Sequence, residues 1–472
     1  MNTQPWVGRS LPLAHRTGSQ IFKALFGTDA IATLLESPYP TLPETRSLSR
    51  YSICAGVPRR LGSDQWALWT PKLGEILPFL RAQFDPAMGS DLTSDLPLEL
   101  PFIGGWLGWL GYDLAWEIER LPHQNEETLS FPTAYWYEPD CFAVLDHSTQ
   151  QLWLAVTDPR DFDRLEFLLN AAETAPIPPY LKPQVPTLKF LTTQEQYQSA
   201  ILKAKEYIQR GDIFQTNLSL RFEAETQANS WDIYQALHSI NPSPFASYWR
   251  SPFGDVMSCS PERLVTLDVD GWVDTRPIAG TRPRGATSDL DTVLADELRS
   301  NEKERAEHIM LVDLERNDLG RVCAFGSVVV DELLVIERYS HVMHLVSNVQ
   351  GKLRSDVDAI DLIRAVFPGG TITGCPKVRC MEIIEQLEPV RRSLFYGSCG
   401  YLDLRGRLDL NILIRTLLYS KLDLSTPDHD LPTAMVWGQV GAGIVADSEP
   451  EREWAEALQK AIAQIKALGL SG

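Results

Sequence analysis

Carboxylates at helical spacing are the first residues in this sequence that could do chemistry. The stretch Leu298–Arg321, LRSNEKERAEHIMLVDLERNDLGR, is rich in Glu, Leu, Met and Ala, with no Gly or Pro over 301–315, so a helix is expected. At about 100° per residue, Ala306, Ile309, Met310, Leu311, Val312 and Leu314 spread around most of the circumference, which predicts a helix buried nearly all round. Glu304 and Glu307 then face the same way, and two like charges inside a protein need a cation or a proton. An acidic first turn is the competing reading, since Asp296, Glu297, Glu302 and Glu304 also suit a positive helix N-terminus. A second expected helix, from about Pro450 to Leu468, repeats the spacing with Glu453 and Glu456 and adds Lys460 one turn on. Four carboxylates from two helices would suit a hard cation with oxygen ligands, Mg²⁺ in particular. Chance placement of glutamates on two helices is the alternative.

Three further sites invite chemistry. Gly369–Lys377, GGTITGCPK, has the look of a phosphate loop but lacks the Gly-Lys-Ser/Thr ending, with Cys375-Pro376-Lys377 after Gly374. Its backbone N–H groups, leading into a helix, could still receive a carboxylate. His344 lies in an apolar run, VMHLVS, where a histidine satisfied within the core is the plain reading. Arg415, in NILIRTL, is more informative, because an arginine among apolar strand neighbours needs an anionic partner if it points inward.

The elements that must position these residues fall into three stretches. Residues 1–174 mix short apolar runs with turns, and Ile103–Glu119, IGGWLGWLGYDLAWEIE, sets glycines among large aromatics, which suggests close backbone approach. Cys141–Leu145 and Gln151–Thr157 flank a polar turn and read as a hairpin. Residues 175–190 form a linker, marked by the five prolines of APIPPYLKPQVPT. Residues 191–472 open with a helix from Thr193, its N-cap, to Arg210, with Gly211 as the stop. Short strands follow at Ile213–Phe222, Ala246–Trp249, Val256–Ser258 and Arg263–Leu267, then helices at Leu362–Val366 and Lys377–Glu388. Tyr401–Asp403, Asn411–Tyr419 and Ala434–Val445 are the last strands. Strands and helices are segregated more than alternated, which favours α+β.

At 472 residues the chain can bury a large core, and 44% apolar with 22% charged residues is ordinary for a soluble globular protein. A net charge of −19 argues against nucleic acid and anionic membranes as partners. An anionic substrate would need local Arg, Lys, helix N-termini or metal. Seven scattered cysteines without a C-x-x-C pair, and no apolar run of membrane-spanning length, lead us to expect a cytoplasmic protein with reduced thiols.

The ordered motifs GDIFQTNLSLRF (211–222), SPERL (260–264), RPIAGTRPRG (276–285), ERAEHIMLVDLERNDLGRV (304–322), HLVS (344–347), FPGGTITGCPK (367–377), GYLD (400–403), IRT (414–416), GAGIVADS (441–448) and EREWAE (451–456) resemble those of the chorismate-utilising enzymes. That family includes component I of anthranilate synthase and of aminodeoxychorismate synthase, with isochorismate and salicylate synthases as relatives. The match runs from about Thr192 to Lys466, with weaker similarity at Ile103–Leu121 and Leu34–Ser37. The resemblance implies an α+β fold of two large antiparallel sheets packed together, with helices outside and the site in a cleft between the sheets.

It also implies roles. Glu307 and Glu456 would hold Mg²⁺, with Glu304 and Glu453 bonding its waters. Arg415, Lys460, the backbone of Gly441, Ala442 and Gly443, and the turn from Thr371 to Gly374 would hold the carboxylates of chorismate, and Tyr401 would support its enolpyruvyl side. Glu262 would protonate the departing C4 hydroxyl, His344 would lie beside the ring, and Thr281 would donate a hydrogen bond near it. Relatives that add water carry a Lys where this chain has Gln215, so ammonia is the implied nucleophile. Gln-Thr-Asn-Leu (215–218), Ser-Pro-Glu-Arg-Leu, GGWLGWLGYDL and Arg-Tyr-Ser-Ile-Cys-Ala-Gly (50–56) favour aminodeoxychorismate synthase, on the folate branch toward pABA. Ala279 is more usual for anthranilate synthases, of tryptophan biosynthesis, and carries no nucleophile for a covalent lysyl intermediate. No glutaminase signature is present, so a separate glutamine amidotransferase subunit or free ammonia would supply nitrogen. A catalytically idle ligand-binding relative is the reading from another class, and the completeness of the residue set argues against it. Leu35, Glu36 and Ser37 resemble a tryptophan-binding segment, for which an edge strand is the plain alternative.

Overall fold

Period-two alternation decides which face each strand buries. In Tyr51–Ala55, Ile53 and Ala55 enter one hydrophobic core while Cys54 enters another. Val256 and Met257 divide in the same way, so these strands are covered on both sides and read as continuous apolar runs. The computed structural model describes residues 5–37, 49–62, 65–83, 96–172, 187–339, 342–422 and 434–470. Among them a 12-stranded and a 10-stranded sheet form, with antiparallel pairing throughout. One core lies between the sheets, where Trp109 meets Trp249 edge-on at 6.0 Å. The other lies between the first sheet and the helices Gly18–Phe26, Asp161–Ala172, Gln194–Gln209, Ser230–Ile240 and Pro450–Ala467. This is the α+β architecture expected.

Residues 1–174 feed both sheets. Val7–Pro12, Gln151–Val156, Cys141–Asp146, Tyr51–Ala55 and Ala32–Glu36 run in that order up to Phe245–Ser251 in the first sheet. Gly105–Leu110 joins the second sheet beside Ser398–Asp403. The glycine-aromatic run behaves as expected there, because a Cβ on Gly108 would sit 2.1 Å from the Tyr135 carbonyl oxygen. Ala32–Glu36 pairs on both sides, so it is an interior strand and the edge-strand reading fails.

The expected helix at Gln194–Gln209 begins with a capping box, in which Thr193 and Gln196 each satisfy the other's backbone N–H. Most of the proline-rich linker (175–186) and most of the polar loop at 421–433 lie outside the described residues. The end of the presumed linker, Leu188–Phe190, instead forms a short strand against Phe222–Ala224. No helix among the described residues is long and apolar enough to cross a membrane.

Two further expectations need correction. Glu302–Gly320 is a helix, yet it is not buried all round: Ile309 is 45% exposed and Ala306 is exposed. Its inward face is His308, Leu311, Val312, Glu315, Asp318 and Leu319, since the second sheet and the helix Ala359–Val366 cover one side only. Asn411–Tyr419 is not one strand. Leu408–Asn411 belongs to the second sheet and Thr416–Lys421 to the first, and Arg415 stands in the crossing between them.

Candidate active site

The chain passes from the first sheet to the second between Ser260 and Arg263, and returns between Asn411 and Thr416. These crossings are laced together. The Ile412 N–H donates to the Glu262 carbonyl at 3.0 Å, the Cys259 N–H to the Arg415 carbonyl at 3.1 Å, and the Ser260 hydroxyl to the Ile412 carbonyl at 2.6 Å. Glu262 and Arg415 therefore sit at the junction of the two sheets. Arg415 has φ of +52°, a left-handed conformation that a non-glycine residue keeps only when its surroundings impose it. Its Nη1 donates to the Lys460 carbonyl at 2.6 Å. No carboxylate among the described residues lies within ion-pair distance of it, so the guanidinium is short of an anion. Burial pushes its pKa down, with Tyr396 and Glu456 opposing.

Around Arg415 the Ala434–Ile444 strand presents Gly441 and Gly443 toward the same space, while Ala442 is buried in the outer core and offers only backbone. Lys460 Nζ donates to the Gly441 carbonyl at 3.0 Å and pairs with Glu456 at 2.8 Å. A Cβ on Gly441 would lie 2.9 Å from Asn217 Oδ1 and 3.0 Å from the Tyr396 hydroxyl, and both of those buried atoms lack a hydrogen-bond partner among the described residues. One on Gly443 would lie 2.7 Å from Gln215 Nε2 and 3.2 Å from Glu307 Oε1. Gly374, at φ of +127°, closes the turn against Gln215, whose carbonyl would be 2.2 Å from an added Cβ. Side chains at these three glycines would fill the cleft or break the close approach that shapes it.

On the opposite wall His344 Nδ1 and the Thr281 hydroxyl lie 3.0 Å apart. Burial, then the charge of Arg415, pushes His344 down to about 4, so its ring is neutral near pH 7. Glu262 is buried and pushed up to about 7 by desolvation, which the Thr371 hydroxyl and the Ile278 amide partly offset. Thr371 approaches Glu262 without a full hydrogen bond, and its buried hydroxyl has no partner among the described residues. A carboxyl that holds its proton near neutrality is suited to donate it.

The four predicted carboxylates come from two helices that face each other, because Glu307 and Glu453 each feel both Lys303 and Lys460. Burial raises the pKa of Glu307 and of Glu453. Three acids of the set are already engaged: Glu307 accepts from Gln215 at 2.8 Å, Glu304 pairs with Arg282 at 3.3 Å, and Glu456 pairs with Lys460. Their oxygens are not gathered to single-ion distance. Among the described residues only Asp140, Cys141 and Asp161 bring three ligand atoms within 4.8 Å of one another. The donor set nonetheless fits a hard cation, being all carboxylate oxygen, with Glu307 and Glu453 raised in pKa by desolvation.

Tyr401 departs from its expected role. Its ring packs on Phe102 at 5.6 Å, and its charged neighbours are Asp409, Arg407, Asp403 and Arg263, none of which belongs to the cleft. The tyrosine that reaches the cleft is Tyr396, also left-handed at φ of +64°. Sequence reasoning passed over it because GYLD was the more obvious motif, although the FYG ahead of it held the signal. Glu36 and Ser37 lie elsewhere. Glu36 accepts from the Ser19 N–H at 2.7 Å, the Ser19 hydroxyl at 2.6 Å and the Tyr234 hydroxyl at 3.2 Å. The Ser37 hydroxyl donates to the Pro244 carbonyl at 2.8 Å, and Leu35 is only half-buried.

A cleft with an anion-seeking arginine, a buried glutamate of raised pKa and facing carboxylate helices agrees with what the comparisons return. The model of the chorismate binding enzyme family matches residues 72–466. The chain belongs to that family. It is 58% identical to an anthranilate synthase component I-like protein of Synechocystis sp., over 99% of this chain and 93% of the relative. It is 40% identical to aminodeoxychorismate synthase component 1 of Bacillus subtilis, over 98% of this chain and 97% of that one. Anthranilate synthase component I from Streptococcus pneumoniae superposes with a TM-score of 0.72 at 30% identity, covering 91% of this chain and 94% of that one. This chorismate-binding enzyme is thus a chorismate-utilising catalyst of the anthranilate and aminodeoxychorismate synthase component I type.

Proposed function

We propose that the enzyme aminates chorismate with ammonia to give 4-amino-4-deoxychorismate, the precursor of pABA on the folate branch, and that a glutamine amidotransferase subunit in the cytoplasm supplies the ammonia. The observation that carries amination is Gln215. It lies where water-adding relatives have a lysine base, and its amide is spent on Glu307. Water would go unactivated there, whereas ammonia needs no base to attack. Match over nearly full length to an aminodeoxychorismate synthase component 1 supports the folate product.

Arg415 and Lys460, with Tyr396 and the Gly441–Gly443 backbone, would bind the carboxylates of chorismate. Glu307 and Glu456 would hold Mg²⁺, with Glu304 and Glu453 beside it, and the ion would supply charge for the substrate's ring carboxylate. As nitrogen bonds to the ring and the C4–O bond breaks, Glu262 gives its proton to the leaving oxygen, which departs as water, and the new ammonium returns one. Neutral His344, oriented by Thr281, packs beside the ring. Ala279 offers no nucleophile, so no enzyme–substrate bond forms at that position.

The second reading is anthranilate formation with loss of pyruvate, favoured by Ala279 and by the name of the 58% identical relative. Incubating the chain with chorismate, Mg²⁺ and an ammonium salt tests both. We expect chorismate loss, with pABA appearing only after a 4-amino-4-deoxychorismate lyase is added. Fluorescent anthranilate without lyase would replace the first reading by the second, and no chorismate loss would overturn both.

A further inference from the structure

Tyr112, in the glycine-aromatic run, has no part in the chemistry above, yet it is one of the largest fully buried side chains. Its ring centre lies 4.8 Å from the guanidinium of Arg392, which also stands over the ring of Tyr396 at 4.6 Å. A guanidinium that stands over two aromatic faces is attracted by both and restrained in position. Arg392 is itself only 2% exposed and spends its N–H groups in three directions. Nη1 donates to the Ile372 carbonyl at 2.7 Å, and Nη2 to the Asn217 carbonyl at 2.7 Å. Nε and Nη2 donate to the Glu388 carboxylate at 3.0 and 2.7 Å. Glu388 is in turn held by the N–H and hydroxyl of Ser219, both at 2.8 Å.

Three of those partners lead to the cleft. Ile372 follows Thr371, which approaches Glu262. Asn217 lies two residues past Gln215, and its side-chain oxygen stands beside Gly441. Tyr396 presents its unpartnered hydroxyl to the same glycine. Resting on the functional reading above, we propose that Arg392, held over the rings of Tyr112 and Tyr396, is a positioning residue. It sets the Tyr396 hydroxyl, the Asn217 end of its strand and the Thr371 turn at the spacing the substrate's carboxylate end requires. The N-terminal segment thereby contributes to binding without touching substrate. Lysine cannot replace this arginine, since a point charge on a flexible stem can neither stack on two rings nor reach three acceptors in one plane.

Calorimetric titration of the full chain with chorismate in the presence of Mg²⁺ tests this without reference to the product. Arg392→Lys should weaken binding about tenfold or more. Tyr396→Phe should weaken it as well, and Arg392→Lys in the Tyr396→Phe background should cost markedly less than alone, since one acts through the other. If Arg392→Lys does not fold, Tyr112→Leu removes one of the two rings and should weaken chorismate binding severalfold, while Tyr112→Phe, which keeps the ring, restores it. Additive effects of the Arg392 and Tyr396 changes, or a Tyr112→Leu protein that folds and binds as the wild type does, would overturn the proposal. A wild type that binds chorismate but never aminates it would instead sink the functional reading and leave this one standing.

Discussion

Two groups of acids in this enzyme are built from the same residue type and behave differently. Glu304, Glu307, Glu453 and Glu456 stand on facing helices at the edge of the cleft, where amide, arginine and lysine partners already touch three of them. Glu262, Glu315 and Asp318 are buried, and within their group the cation Lys377 reaches only Asp318, at 2.5 Å. Glu315, on the inward face of the same helix as Glu307, is raised by burial first, then by Asp318 and Glu262, with Lys377 opposing. In the buried group desolvation is the largest cause raising each carboxyl, and a cation in contact, as Lys377 is with Asp318, opposes it. One helix thus carries a partnered acidic face at the cleft and a buried acidic face beneath it.

The comparison breaks most sharply by substitution. Glu456→Gln should take turnover below detection while leaving the melting transition intact, because the side chain is exposed and packs in no core. Glu262→Gln should lower kcat by about 10²- to 10⁴-fold, the range for losing a general acid. The two losses differ in kind. Raising Mg²⁺ should recover part of the activity of a quartet variant and none of that of Glu262→Gln. Recovery of Glu262→Gln by Mg²⁺, measured as initial rate against metal concentration, would mean that the division between the groups is wrong.

The pH profile sharpens the same division. A general acid must be protonated, and Glu262 holds its proton up to about 7, so kcat/KM should fall as pH rises past that value. His344 is neutral above about 4, so the acid limb should come from its protonation near there. A profile taken across this range should be a plateau closed at both ends. In Glu262→Gln the alkaline limb should disappear from the residual rate.

Much of this was legible in the sequence, for stated reasons. Thr193 and Gln196 announce a capping box by spacing alone, and the i,i+3 glutamates mark the two facing helices because helical period is local. The site residues themselves were reached through ordered motifs. What stayed hidden depends on contacts distant in sequence. NILIRTL has the hydrophobicity of one strand, and only the two-sheet topology shows that it changes sheets at Arg415. Periodicity could not show that the 302–320 helix is covered on one side only. Glu315 and Arg392 carry no local signature, since their partners lie on other elements.

The smallest effect we expect is also the one that isolates the buried group. Glu315 has a folded pKa raised above the ordinary carboxylate value of 4.5. The folded state therefore holds a proton that the unfolded chain releases as pH rises above that value, and folding stability declines from there through neutrality. Glu315→Gln keeps the shape and removes the titration. Below about pH 4.5 both proteins carry a neutral group at this position, so the variant gains nothing. Above neutrality the wild type alone bears the cost of ionising a group beside Glu262 and Asp318. The melting temperature of the variant relative to wild type should thus rise between acid and alkaline pH, by about 1 °C for each kcal/mol in a chain this large. Groups that do not feel Glu315 titrate alike in both proteins and cancel, so the difference reports Glu315 together with its neighbours Asp318 and Glu262. A difference that stays flat with pH would place a compensating cation beside Glu315 and erase the contrast between the two faces of the helix.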